Sequence, residues 1–432
     1  MKNSHIKKIF LHVGMSKTAT SSIQDTLYLN RNQLEKCDYY YCEKLQKNQS
    51  DTFRMLCWDK PELQHTSIKL GLDAEKIKLI NKQNLDVISQ EISETTCSNI
   101  IFSGESISAF EPHELQRCKS FLNNLAPEAT IYIVISTRNP IDYINSLVQQ
   151  RKRTSSRGRN KSFYFLYESI FEKLLNVFGK KHIIAYSFEN ACRHLLGPVG
   201  HFLNAIGIED ELMSNISVVN SNSSISDKAI DIIDFINHEI PMLEGNKISD
   251  GRIHLDYAHF FTLSGKKFQV AKNSNDINIS VENLTRSCQW LSDNIGIEYK
   301  LKELPESAPR IVYDDTFNAE IKTIFPFLSP VLKKLTYQYI NNKRKANYTD
   351  PLSKQTLTYL AKWIQSNHQS TLKNNLSDTI NLQSKIITDD KEQRQQLIQN
   401  IKGESVIAND FFYSIVIFLT HYEFHDEATF FN

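Results

Sequence analysis

Short apolar runs alternate with longer stretches of helical period through the first half of the chain. Lys8–Val13 is rich in β-branched and aromatic residues and is punctuated by Gly14, which predicts a short buried strand. A helix is expected from the hydroxyls at Thr20–Ser22 through Ile23, Leu27 and Leu34. Asn99–Ser103 and Ala129–Ser136 predict two further strands, separated by helical patterns at Ile77–Ile92 and Leu115–Leu125. Asn139 and Pro140 then open a helix over Ile141–Gln150. The basic stretch Arg151–Lys161 has no apolar period and reads as a loop. Tyr164–Phe178 returns to helical spacing and His182–Phe188 predicts a fourth strand. Together these imply an α/β fold: a central parallel sheet with right-handed crossovers and flanking helices.

Beyond about Ile216 the pattern is mainly helical, with Asp227–Ile240, Val281–Asn294 and Thr316–Ile340 as candidates. From Asn347 it turns polar and helical again. The expected organisation is one α/β domain over residues 1–345 and a helical C-terminal extension over 346–432, with no internal repeat. A chain of 432 residues is long enough for this division.

The 50 Lys and Arg are balanced by 49 Asp and Glu, so whole-chain charge gives no reason to expect a nucleic-acid partner or an anionic membrane surface. Any anion site must be local. The seven cysteines form no Cys-x-x-Cys pair and have no His at metal spacing, so they predict reduced thiols in a reducing, cytoplasmic compartment and no metal centre. Ile9–Val13 is too short for an export segment, and Phe411–Thr420 is about half of the ~20 residues a membrane helix needs.

The candidate chemistry begins at Gly14-Met15-Ser16-Lys17-Thr18-Ala19-Thr20-Ser21-Ser22, between a predicted strand and a helix start. Free backbone N–H groups, the positive end of a helix dipole, a lysine and several hydroxyls converge there, as an anion cradle requires. The spacing is not Walker A, which needs Gly-x-x-x-x-Gly-Lys-Ser/Thr. The plain alternative is a Ser/Thr-rich capping turn with a solvated lysine. A second signal is Arg138-Asn139-Pro140 after the third strand, with Ser146 about two helical turns on. An Arg there points into the crevice where open α/β sheets bind ligands, and guanidinium with hydroxyl suits a phosphate. Alternatively, Arg138 is a surface residue paired with Asp142.

With these residues in view, Phe10–Gln24 resembles the 5′-phosphosulfate loop of sulfotransferases that use 3′-phosphoadenosine-5′-phosphosulfate (PAPS), commonly written with Pro-Lys-Thr-Gly-Thr at its centre. Arg138-Asn139-Pro140 with Ser146 resembles the 3′-phosphate motif of that family. Arg157-Gly158 and the following helix resemble its next stretch. The resemblance covers residues 6 to about 225 and implies a P-loop-like strand-loop-helix. It implies that Gly14, Lys17, Thr18, Ala19, Thr20, Ser21 and Ser22 hold the phosphosulfate. Arg138, Ser146, Arg157 and Gly158 would complete the cofactor site. Lys17 would stabilise charge on the leaving group, and no metal is required. Ser16 stands where the family has proline, and Ala19 where it has glycine.

A base must take the acceptor's proton, and Glu105 in Ser103-Gly104-Glu105-Ser106 lies where several carbohydrate sulfotransferases carry a glutamate. His12 is the second candidate, although a histidine in a buried strand is more often a core residue. The acceptor expected from the style of the motifs is a hydroxyl, or an amine, of a carbohydrate or glycolipid. Rival readings are an ATP-dependent P-loop kinase and a non-catalytic nucleotide-binding interaction protein. Tyr39-Tyr40-Tyr41 reads as an aromatic cluster for packing or for an acceptor groove.

Overall fold

A computed structural model describes residues 3–154, 166–220, 225–241, 243–244, 247–248, 257–272, 280–307, 309–347 and 349–366. Five strands, β1 (Lys8–His12), β2 (Tyr39–Tyr41), β3 (Asn99–Ser103), β4 (Thr130–Thr137) and β5 (Ile183–Ser187), form one parallel sheet in the order β2-β3-β1-β4-β5. Central β1 pairs with β3 on one side and β4 on the other, so that Leu11 lies level with Phe102 and Ile133. Alternate residues serve opposite faces. Ile9, Leu11, Ile100, Phe102, Ile133 and Ile135 enter one apolar cluster, and Phe10, Ile101 and Val134 enter the other. Burial on both faces explains the near-continuous apolar strands in the sequence.

The described residues fall into two compact units. The first lies within Met1–Ser224, Gly245–Lys247 and Lys267–Pro309 and holds the sheet. The second lies within Ile225–Glu244, Ile248–Lys266 and from Arg310 onward, and in it the helices Asp227–Glu239, Asp315–Ile324, Pro330–Lys345 and 351–366 surround a polar knot. There Asp231 accepts from Tyr339 at 2.6 Å and Tyr313 at 3.1 Å, and pairs with Lys343 at 2.5 Å.

Four elements depart from the sequence expectation. The first helix stops at Leu29 and a separate turn of helix follows at Arg31–Lys36, because Asn30 diverts its side chain to the Thr26 and Ser217 carbonyls. Tyr39–Tyr41 is a strand whose outer residues are buried and whose hydroxyls bond Ile206, Glu91 and Lys47, so these rings belong to the fold. The expected helix Thr316–Ile340 is divided at Pro326 and Pro330. The helix opened by Pro140 runs to Thr154, so Arg151, Lys152 and Arg153 are helical, where basic side chains suit the negative end of the dipole. Residues 155–165, with Arg157 and Gly158, lie outside the described residues, as do 367–432 with the apolar run Phe411–Thr420. No described helix is long and apolar enough to cross a membrane.

Candidate active site

The Gly14–Thr20 loop leaves the C-terminal end of β1 between the ends of β3 and β4. Two backbone bonds fix its root: Val13 N–H to the Val134 carbonyl at 3.0 Å and Gly104 N–H to the His12 carbonyl at 2.9 Å. Gly14 has no room for a side chain, since a Cβ would sit 2.5 Å from Thr20 Cγ2 and 2.9 Å from His12 Nε2. Lys17 and Ala19 are both left-handed, at φ 67° and 64°, a conformation that costs an L-residue about 1–2 kcal/mol. The strain turns the chain sharply enough for the helix Thr20–Leu29 to start with its first amides, which lack intrahelical carbonyls, beside the loop.

Three neighbouring elements grip the loop. From the end of β4, Arg138 Nη1 donates to the Lys17 carbonyl at 2.7 Å, and its guanidinium lies 5.0 Å from the Phe188 ring centre. From the turn after β3, Glu105 Oε2 accepts from Thr20 Oγ1 at 2.7 Å. From the helix Pro140–Thr154, the Tyr143 hydroxyl meets Ser16 Oγ at 3.3 Å. The turn bearing Glu105 is itself held by Ser50, whose carbonyl accepts from Ser106 Oγ at 3.3 Å.

Burial pulls the Lys17 ammonium below its usual pKa; Glu105 opposes that shift, while Arg153 and Arg138 add to it. A lysine destabilised by desolvation and like charge is one that an incoming anion relieves. The arrangement can therefore hold a polyanion across Lys17, the helix amides and Arg138, with one carboxylate alongside.

The hydroxyls divide by placement. Thr18 is fully buried and donates to the Met15 carbonyl at 2.5 Å, shaping the loop from within. Thr20 is turned to Glu105, Ser22 is buried and Ser21 is exposed. Ser146 is half-buried on the helix that Pro140 begins. Asp142 pairs with Lys302 at 2.5 Å, while Arg138 reaches the loop. His12 is 1% exposed; Nδ1 meets Ser103 Oγ at 2.8 Å, and burial lowers its pKa to about 3, so the ring is neutral. It lies in the floor under Gly14 with Gln24, which reaches Ser103 Oγ at 3.1 Å.

No family model and no curated protein matches this chain. Several chains of known structure are similar in part, and one of them shows the extent of the likeness. It is a sulfotransferase from Alicyclobacillus acidocaldarius, at 19% identity and a TM-score of 0.33, covering 54% of this chain and 93% of that chain. At that distance the likeness carries no weight beyond itself, and fold and site stand on the residues above.

Sequence reasoning missed Tyr143, Phe188, Gln24 and Ser103. The only signal for Tyr143 was its place one turn after Pro140; Phe188 sat in view as the end of a predicted strand. Elsewhere, Asp59, His113 and Glu114 bring ligand-type atoms within 4.8 Å of one another. Arg117 already meets Asp59 at 2.7 Å, and both Glu114 oxygens accept backbone amides, from Asp59 and Glu111, so that group is internally satisfied.

Proposed function

We propose that this chain is a PAPS-dependent sulfotransferase, moving a sulfuryl group to a hydroxyl or amine of a carbohydrate or glycolipid acceptor. The observation that carries the reading is the grip on one loop: Lys17 and the start of the helix Thr20–Leu29 held between Arg138 at the end of β4 and Glu105 after β3. A donor with phosphates at both 5′ and 3′ positions needs two cationic subsites, and Lys17 and Arg138 supply them from adjacent strands. Gly14 serves the loop's own packing, because Thr20 and His12 occupy the space that a Cβ would need.

In this reading Lys17 stabilises negative charge developing on the oxygen that bridges sulfur and the 5′-phosphate. The helix amides and Ser21 orient the phosphosulfate, and Arg138 with Ser146 takes the 3′-phosphate. Glu105 accepts the acceptor's proton. Positioning and charge provide the catalysis, as in phosphoryl transfer.

One observation favours keeping a second reading. A carboxylate after a strand, bonded to a threonine of an anion loop, is also how metal-dependent phosphotransferases arrange a magnesium site. Calorimetric titration with 3′,5′-ADP (PAP) and with ADP plus magnesium separates the two. Preference for PAP supports the sulfotransferase, and preference for magnesium ADP overturns it. Binding of neither leaves an interaction protein.

A further inference from the structure

Between the end of β4 at Thr137 and the helix that Pro140 begins lie only Arg138 and Asn139. This corner is fixed from outside. The Tyr167 hydroxyl donates to the Arg138 carbonyl, and Glu189 Oε1 accepts from the Asn139 amide at 2.8 Å. A single segment beyond residue 225, where the family resemblance ends, supplies three more contacts. The Tyr299 hydroxyl meets Thr137 Oγ1 at 2.8 Å, the Lys300 carbonyl accepts from Asn139 Nδ2 at 2.8 Å, and Lys302 pairs with Asp142 at 2.5 Å. The segment thus runs along the corner as a strap, contacting the residues on both sides of Arg138. The Tyr299 ring also stacks on Tyr167, with centres 6.0 Å apart. Thr137 Oγ1 donates its proton to the Tyr186 carbonyl at 3.3 Å, so the phenol is the donor in the shorter bond. Burial raises the Tyr299 pKa, which keeps that proton in place.

We infer that Tyr299 is a positioning residue for Arg138, and that through Arg138 it sets the affinity for the donor's 3′-phosphate. This rests on the sulfotransferase reading above. Arg138 already spends one N–H on the Lys17 carbonyl and lays its guanidinium against Phe188. A backbone fixed at Thr137 and Asn139 keeps that pose, so the guanidinium meets a phosphate without first being ordered. Tyr299 itself touches no part of the donor in this account.

The test is calorimetric titration of the full chain with PAP and with 5′-AMP, which lacks the 3′-phosphate. Tyr299→Phe keeps the stacked ring and deletes only the hydroxyl. It should weaken PAP about threefold to tenfold, the range of one hydrogen bond, and leave 5′-AMP within about twofold of wild type. Thr137→Val removes the same bond from its other side and should shift the ratio alike. It also keeps the test open if the tyrosine variant does not fold. In an Arg138→Ala background, Tyr299→Phe should cost no further PAP affinity, because the group it acts through is gone. A support of the fold alone would weaken both nucleotides equally, or would add its full loss in that background, and either result overturns the inference. So does an unchanged ratio of the two affinities. Wild-type protein that binds neither PAP nor 5′-AMP removes the sulfotransferase reading itself, before any substitution is compared.

Discussion

At the residue scale, Glu105 is the side chain on which mechanism and support diverge most. It accepts from Thr20 and lends negative potential to Lys17. Glu105→Gln keeps an oxygen for Thr20 but removes both the charge and the ability to take a proton. Turnover should fall about a hundredfold or more if Glu105 is the base. PAP affinity near neutral pH should hold or rise, because an anion no longer faces a carboxylate. The pH dependence has a defined sign. Glu105 is the group that raises the Lys17 pKa against desolvation and two arginines, so its loss lowers that pKa further. Binding of PAP should then weaken at a lower pH than in wild type, as Lys17 deprotonates earlier. A titration series from neutral to alkaline pH checks this, and an unchanged alkaline limb would show that Glu105 does not act on Lys17.

At the scale of elements, the loop stores strain at Ala19, where φ is 64° at the cap of the helix Thr20–Leu29. Glycine relieves about 1–2 kcal/mol of left-handed strain but costs roughly 0.5–1 kcal/mol in the unfolded chain. Ala19→Gly should therefore be neutral to about 1.5 kcal/mol more stable in denaturant unfolding, and a loss of more than about 1 kcal/mol would mean that the methyl has a packing role. The same element shows what the sequence could disclose. Gly14, Lys17 and the helix start were legible, because strand period, punctuation and hydroxyl-rich caps are local signals. So were Arg138 and Pro140, by their place after a strand. The Tyr143, Phe188 and Gln24 contacts were not legible, since each joins segments tens to more than a hundred residues apart. Helix breaks at Asn30 and Pro326 were misread for a different reason: apolar periodicity continued across them and outweighed the side-chain bond and the missing N–H that ended the helices. The short strand Tyr39–Tyr41 offers three residues, too few for a period to declare itself.

At the scale of the whole molecule, two compact units need not unfold in one transition, so a pH effect must be read from the unit that contains it. His12 belongs to the sheet-bearing unit and is buried neutral with a pKa near 3, whereas an unfolded histidine titrates near 6.5. A folded pKa below the unfolded one means that the unfolded chain binds the extra proton. The contribution is thus fully present above about pH 6.5 and is lost as pH falls toward 3. In that window the slope approaches about 1.4 kcal/mol per pH unit. The three tryptophans give a selective reporter, because Trp58 and Trp290 lie in the sheet-bearing unit and Trp363 in the other. In a Trp363→Phe background, fluorescence-detected urea unfolding between pH 7 and pH 4 should show this acid slope. Adding His12→Gln should flatten it by up to one proton's worth, whatever the substitution costs in absolute stability. An equal slope with and without His12 would mean that the ring gains a proton in the folded protein, and that the floor under Gly14 admits water and charge.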